Sequence, residues 1–246
     1  MKKLMTLAAT FILGAVMLTG CGNPGYTRAE DMEKKISEMT ETSKEQELRA
    51  EEEAEEELTE DVVEEKEIRK ADAPSKEELG ITGDVFADIV IKDEGTITVQ
   101  LDYDMAPATV ANFIKLAESG FYDGLTFHRI MNGFMMQGGD PLGNGTGGSD
   151  ENIVGEFEAN GYTNTISHTR GVISMARAND PNSGSSQFFI VHQDSTFLDG
   201  NYAAFGCVTE GMDIVDKICT EAQPIDDNGT IPAEAQPVIE KVVIRK

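Results

Sequence analysis

Phe127-His128-Arg129-Ile130-Met131-Asn132-Gly133-Phe134-Met135-Met136-Gln137-Gly138-Gly139-Asp140 decides how this 246-residue chain is read. It sets a cation (Arg129), an amide (Gln137) and large apolar groups (Phe134 and Met135) within one short run that ends on a glycine pair and an acid. A second stretch, Ser185-Ser186-Gln187-Phe188-Phe189-Ile190, follows about fifty residues later. A fixed donor beside apolar side chains suits chemistry that needs neither a metal nor a nucleophile.

Outward from these stretches, residues 84–246 read as one domain, large enough to bury a good core. Alternating apolar residues predict strands at 88–91 and 96–101, joined by a turn at Asp93-Glu94-Gly95. Further strands are predicted at 126–130, 135–138, 171–176, 188–192, 204–208 and 238–245. Pro107 opens a helix with Val110, Phe113, Ile114 and Ala117 on one face, and Gly120 ends it. A second helix is expected over 211–219. Many short strands with two helices predict an antiparallel barrel with a helix over each end.

The two stretches together resemble the cyclophilin family of peptidyl-prolyl cis-trans isomerases, and the likeness covers nearly all of 84–246 but none of the chain before it. The resemblance implies a mainly β fold, a closed antiparallel eight-stranded barrel capped by two helices. It also implies an enzyme without cofactor or metal that acts as a monomer on proline-containing unfolded or folding polypeptides. Rotation about a peptide bond faces a barrier of about 18–20 kcal/mol, and a prolyl bond left alone turns over in tens of seconds. Reaching about 10³ per second needs roughly 7 kcal/mol of transition-state stabilisation. In the twisted state the proline nitrogen loses conjugation and becomes an acceptor, so a donor aimed at it binds that state better than either planar form.

Arg129 stands where the family carries its catalytic arginine, and its guanidinium offers several donors in a fixed plane. Gln137 would hold the substrate backbone and orient that arginine. The resemblance assigns Phe134, Met135, Phe189 and Leu198 to the proline pocket. It places Gln187 and Gly148, within the glycine-rich Gly145-Thr146-Gly147-Gly148, beside the substrate groove. Ala176, Arg177 and Ala178 match a strand edge whose backbone binds peptide, and arginine at 177 resembles the bacterial branch. Two positions depart from the best-known pattern. Phe197 falls where many members have a cyclosporin-binding tryptophan, and this chain has no tryptophan. Tyr202 falls where those members have a histidine. Both keep an aromatic wall, so the expectation is that catalysis survives and cyclosporin binding weakens.

Competing chemistries find little in the sequence. His128, His168 and His192 lack metal-ligand spacing, and no nucleophile stands with a base and an orienting group. Cys207 and Cys219 are read as free, buried thiols, with a disulfide as the alternative in an exported chain. Two other functional readings stay open: a proline-peptide binder or chaperone-like lipoprotein without turnover, and a lipoprotein whose acidic spacer is the partner-binding element.

The N-terminal part has a different character. Lys2 and Lys3 precede an apolar run at 4–18 that is too short for a stable span and reads as a signal peptide over 1–20. The run closes with Leu18-Thr19-Gly20-Cys21, which looks like a bacterial lipoprotein cleavage box with Cys21 as the lipid anchor; an ordinary secretory signal is the alternative. Such an anchor tethers without spanning. Residues 21–83 read as an acidic, partly helical spacer, with a short oligomerising helix as the alternative. Residues 28–70 hold 18 acidic and 8 basic residues and no aromatic side chain, a composition that cannot build a core. The spacer would hold the domain off the membrane, by roughly 45 Å as a flexible coil. The expected location is the cell membrane, lipid-anchored and extracytoplasmic, where the chain would assist folding of exported proteins at the outer face of the cytoplasmic membrane. With 45 acidic against 20 basic residues and a net charge of −25, nucleic acid is not an expected partner.

Overall fold

The computed structural model describes residues 72–246. The expected signal peptide, Cys21 and all but the last part of the spacer lie outside the described residues. Eight strands follow in chain order: β1 (Val85–Ile91), β2 (Gly95–Leu101), β3 (Thr126–Met131), β4 (Met135–Asp140), β5 (Val172–Met175), β6 (Phe188–Val191), β7 (Ala204–Glu210) and β8 (Ile239–Arg245). Helix α1 (Pro107–Glu118) separates β2 from β3, and α2 (Met212–Glu221) separates β7 from β8. The strands form one sheet in the order β3-β4-β6-β5-β7-β2-β1-β8, and every pairing is antiparallel.

The sheet curls until its edge strands, β3 and β8, approach each other. Thr126 bridges Val238, the Phe127 N–H donates to the Pro237 carbonyl at 3.0 Å, and the Ile239 N–H donates to the Leu125 carbonyl at 2.8 Å. That seam is short. The sheet is therefore a curled half-barrel with two helices, and β3 and β8 do not form the full ladder that a closed barrel would require.

Alternation along the strands sends side chains to two faces. The inner face buries Ile89, Ile97, Phe127, Met136, Phe188 and Phe205 with Phe113 of α1 and Tyr122. Their rings interlock: Phe113 lies 5.1 Å from Tyr122 and 5.5 Å edge-on from Phe188, arrangements that aromatic quadrupoles favour. The outer face carries a smaller cluster of Met135, Val172, Phe189, Val191, Leu198 and Ala204. Neighbours in sequence, such as Met135 and Met136, thus belong to different clusters.

Helix α1 starts at Pro107, whose missing N–H costs nothing in a first turn. The buried Glu156 then accepts hydrogen bonds from the Ala108 and Thr109 N–H groups, at 3.0 and 2.8 Å, and from the Thr109 hydroxyl at 2.7 Å. Burial pushes the Glu156 carboxyl above the ordinary range, against the pull of those bonds. The helix buries Thr109, Ala111, Asn112 and Leu116 as well as the predicted face, so it is embedded rather than merely amphipathic. Gly120 follows with a φ of 74°.

Packing begins upstream of Asp84. Ser75 and Glu78 exchange hydrogen bonds as a capping box, Lys76 pairs with Asp104, and Ile81 is 6% exposed within the main core. Both described cysteines are free thiols. Cys219 is buried as expected, and burial pushes its thiol up to about 12. Cys207 is exposed, a correction to the sequence reading, because on β7 its side chain falls outside both apolar clusters.

Candidate active site

The outer cluster floors a small cavity of about 120 Å³ that brings together Arg129, Phe134, Met135, Gln137, Ala176, Arg177, Phe189, Leu198 and Tyr202. The sheet register places three of them in line. Arg129 on β3 lies opposite Gln137 on β4, Gln137 opposite Phe189 on β6, and Phe189 opposite Ser174 on β5. A row of side chains therefore crosses four strands on the outer face.

Strict alternation would not have put Arg129 in that row. Phe127 belongs to the inner core, and a residue two positions on should face the same way. The β3–β4 register shifts between Phe127 and Arg129, a bulge at His128 that turns the arginine outward while Phe127 and Ile130 stay inside. The glycine pair opposite makes room. A Cβ on Gly138 would sit 2.7 Å from the Thr126 carbonyl oxygen and 2.9 Å from the Phe127 ring, and Gly139 has a φ of 81°.

The Arg129 guanidinium is held from three sides. Its Nε–H donates to the Asn228 carbonyl at 2.7 Å, Nη1 to Gln137 Oε1 at 3.2 Å, and Nη2 to the Met131 sulfur at 3.3 Å. Its Cζ stands 5.9 Å from the Phe134 ring centroid. Burial lowers its pKa from the ordinary arginine value, and a partly desolvated donor interacts more strongly than one in water. Gln137 continues the relay: its Nε2 donates to Gln187 Oε1 at 2.9 Å, and Gln187 donates to the Gly145 and Gly147 carbonyls at 3.2 and 2.7 Å. The glycine-rich loop is fixed by Asp140, which accepts from Leu142, Asn144 and Gly145 at 2.8, 3.0 and 2.6 Å. Burial opposes the Asp140 charge, but these N–H groups together hold the carboxyl below its usual range.

Other predicted residues fall nearby. Gly148, Ala178 and Gln187 line an adjoining hollow of about 340 Å³, which shares Gln137, Ala176 and Arg177 with the first cavity. Phe197 lies outside both; it is 71% exposed and leans on Phe134 with ring centroids 5.6 Å apart. A residue weighed in the sequence only as a metal ligand supports the floor. Buried His168 stacks on Phe189 at 6.0 Å and joins Ser174 and Asp199, each at 2.9 Å. Burial lowers its pKa despite Asp199. Among the described residues, no three His, Cys, Asp or Glu side chains gather as a metal site would require.

A guanidinium and an amide beside a small apolar cup, without a nucleophile, can donate a hydrogen bond and orient a ring. The family model described as "Cyclophilin type peptidyl-prolyl cis-trans isomerase/CLD" matches residues 86–245. The chain belongs to the cyclophilin-type peptidyl-prolyl cis-trans isomerases. Peptidyl-prolyl cis-trans isomerase B of Bacillus subtilis is 48% identical over 124 residues, 50% of this chain and 83% of that protein. A peptidyl-prolyl cis-trans isomerase of Synechococcus elongatus is 49% identical over 118 residues, 48% of this chain and 77% of that protein. Among solved structures, a Cryptosporidium parvum cyclophilin-type isomerase in the presence of the dipeptide Ala-Pro superposes with a TM-score of 0.58 at 28% identity, covering 65% of this chain and 99% of that one. A cyclophilin from Hirschia baltica gives a TM-score of 0.52 at 26% identity, covering 69% and 80%. Fold, family and enzyme class agree: the chain is a cyclophilin-type prolyl isomerase.

Proposed function

We propose that this cyclophilin-type enzyme isomerises X-Pro bonds of exported polypeptides at the outer face of the cytoplasmic membrane, tethered through lipid on Cys21, and so assists their folding. The observation that carries the catalytic part is the Arg129 guanidinium, held by Asn228 and Gln137 on the wall of the 120 Å³ cavity. In this reading the proline ring enters the cup between Phe134, Met135, Phe189 and Leu198. As the imide twists, its nitrogen lone pair is released from conjugation and accepts a hydrogen bond from Arg129. Gln137 keeps the guanidinium in place and meets the substrate backbone. No covalent bond forms or breaks; the site lowers the barrier by binding the twisted state more tightly.

Support for the location comes from the Leu18-Thr19-Gly20-Cys21 box after the apolar run at 4–18 and from the long acidic stretch that follows. The anionic chain would be repelled by acidic headgroups, so attachment would rest on acyl chains. Fractionation of cells expressing the wild type and Cys21→Ala tests this. The wild type should pellet with membranes and be cut by protease added to spheroplasts, and the variant should leave the membrane fraction. A Cys21→Ala chain that stays membrane-bound would overturn the anchor.

A further inference from the structure

In a chain of net charge −25, the basic side chains should find acidic partners, and among the described residues both arginines away from the site do. Four arginines lie among the described residues: Arg129, Arg170, Arg177 and Arg245. Arg170 pairs with Asp216 and Arg245 with Asp88. Among the described residues neither Arg129 nor Arg177 forms an ion pair with a carboxylate, and both line the 120 Å³ cavity. Among the described residues the carboxylate that acts on Arg129 through space is Asp226, and it is engaged by the N–H groups of Asn228 and Thr230 and the Thr230 hydroxyl.

Arg177 is built to stay where it is with donors to spare. Its Nε–H donates to the Asn201 carbonyl at 2.9 Å and Nη1 to the Ala178 carbonyl at 2.9 Å. Its guanidinium lies between two rings, 4.7 Å from the Tyr202 centroid and 5.0 Å from that of Phe157. A guanidinium has five N–H donors; two are committed here, and Nη2 makes no hydrogen bond within the described residues. Its partners are neutral carbonyls and ring faces, so its charge is not cancelled. Arg177 also belongs to both hollows, together with Gln137 and Ala176. Gln137, Ala176 and Arg177 thus mark the border between the proline cup and the larger hollow.

We infer that Arg177 is a specificity-determining residue that selects proline sites carrying a carboxylate, Asp or Glu, within two residues of the proline. The inference rests on the isomerase reading of the 120 Å³ cavity and adds the substrate class. A fixed guanidinium presents a fork that matches a carboxylate in a way a lysine ammonium does not. Residues 72–246 hold 27 acidic and 10 basic residues, so a carboxylate-bearing peptide meets net repulsion from the domain as a whole and attraction at a guanidinium without an acidic partner.

The test uses the detergent-solubilised full chain and acetyl-capped proline peptides with Glu, Gln or Lys placed in turn at the two positions on either side of the proline. NMR exchange gives kcat/KM, and NMR titration of the same peptides gives Kd. At low salt the wild type should favour Glu over Lys about five- to tenfold at one or more of these positions, as expected for one well-placed charge contact. The ratio should shrink as salt is added. Arg177→Gln should bring it within about twofold, whereas Arg177→Lys should retain part of it. A wild-type ratio near one overturns the inference, as does an Arg177→Gln variant that loses all peptides in equal proportion. Peptides that bind with the Glu preference but are not isomerised would sink the isomerase reading and leave the preference standing.

Discussion

Replacing Gln137 with leucine would cut the polar relay at its middle while keeping a side chain of similar size. The amide now accepts from Arg129 Nη1 at 3.2 Å and donates to Gln187 Oε1 at 2.9 Å. Leucine removes both bonds and leaves the guanidinium anchored only by the Asn228 carbonyl and the Met131 sulfur. A hydrogen bond to a charged group is worth about 1.5–3 kcal/mol, and at this half-exposed site the lower part of that range applies. A loss of about 1.5–2 kcal/mol corresponds to a fall of roughly 10- to 30-fold in kcat/KM. The fold should hardly notice, because Gln187 keeps its bonds to the Gly145 and Gly147 carbonyls. Isomerisation of a prolyl tetrapeptide, with thermal unfolding run in parallel, measures both quantities. Gln137→Glu supplies a second arm: it keeps the acceptor but binds the guanidinium as an ion pair, so activity should fall there too. A Gln137→Leu enzyme within about twofold of wild type, with its unfolding midpoint intact, would refute the positioning role.

Other consequences follow from the same geometry. Gly138→Ala forces a Cβ to 2.7 Å from the Thr126 carbonyl; strain of about 1–3 kcal/mol should lower the thermal midpoint by roughly 3–10 °C, and an unchanged midpoint would show that the strands have slack. Burial holds His128 and His168 below their ordinary value of 6.5; the unfolded chain therefore takes up their protons first, and stability is lost as pH falls below about 6.5. Glu156, raised by burial, has the opposite sign, its contribution fading as pH rises through its folded value. With two groups against one, urea midpoints should drop from pH 7.5 to pH 5.5 and drop less in His168→Gln; an equal drop in both would clear His168 of the effect. Cyclosporin should inhibit the wild type weakly and Phe197→Trp about five- to tenfold better, the worth of one added hydrogen bond at the exposed rim; tight inhibition of the wild type would contradict this.

Much of this architecture was legible in the sequence because its signals are local. Alternation located β1 and β2 and strand-like runs the other six, to within a few residues, and Pro107 and Gly120 bracketed α1. The family pattern gathered residues that no periodicity could connect, among them Phe134 and Leu198, which lie sixty-four positions apart. What escaped notice depends on long-range register. The bulge at His128 leaves no mark in a run of apolar and polar residues, yet it alone turns Arg129 to the outer face. Glu156 satisfies the first turn of a helix that begins 49 positions earlier, and His168 reads as an isolated polar residue until β5 and the 3₁₀ turn Thr196–Leu198 bring Ser174 and Asp199 beside it. The exposure of Cys207 likewise depends on which face of β7 is covered. Leu79 and Ile81 fall within the expected spacer, yet both pack against the main core.

The most direct test separates binding of the flat peptide from passage over the barrier. Kd and kcat for one prolyl peptide, measured by NMR titration and exchange on wild type and Arg129→Ala, give the two numbers. If the guanidinium favours the twisted imide, kcat should fall about 100- to 1000-fold while Kd for the planar isomers moves by less than about threefold. Weakened affinity that accounts for the entire loss of activity would contradict the account, because Arg129 would then hold the planar substrate and contribute nothing extra to the transition state.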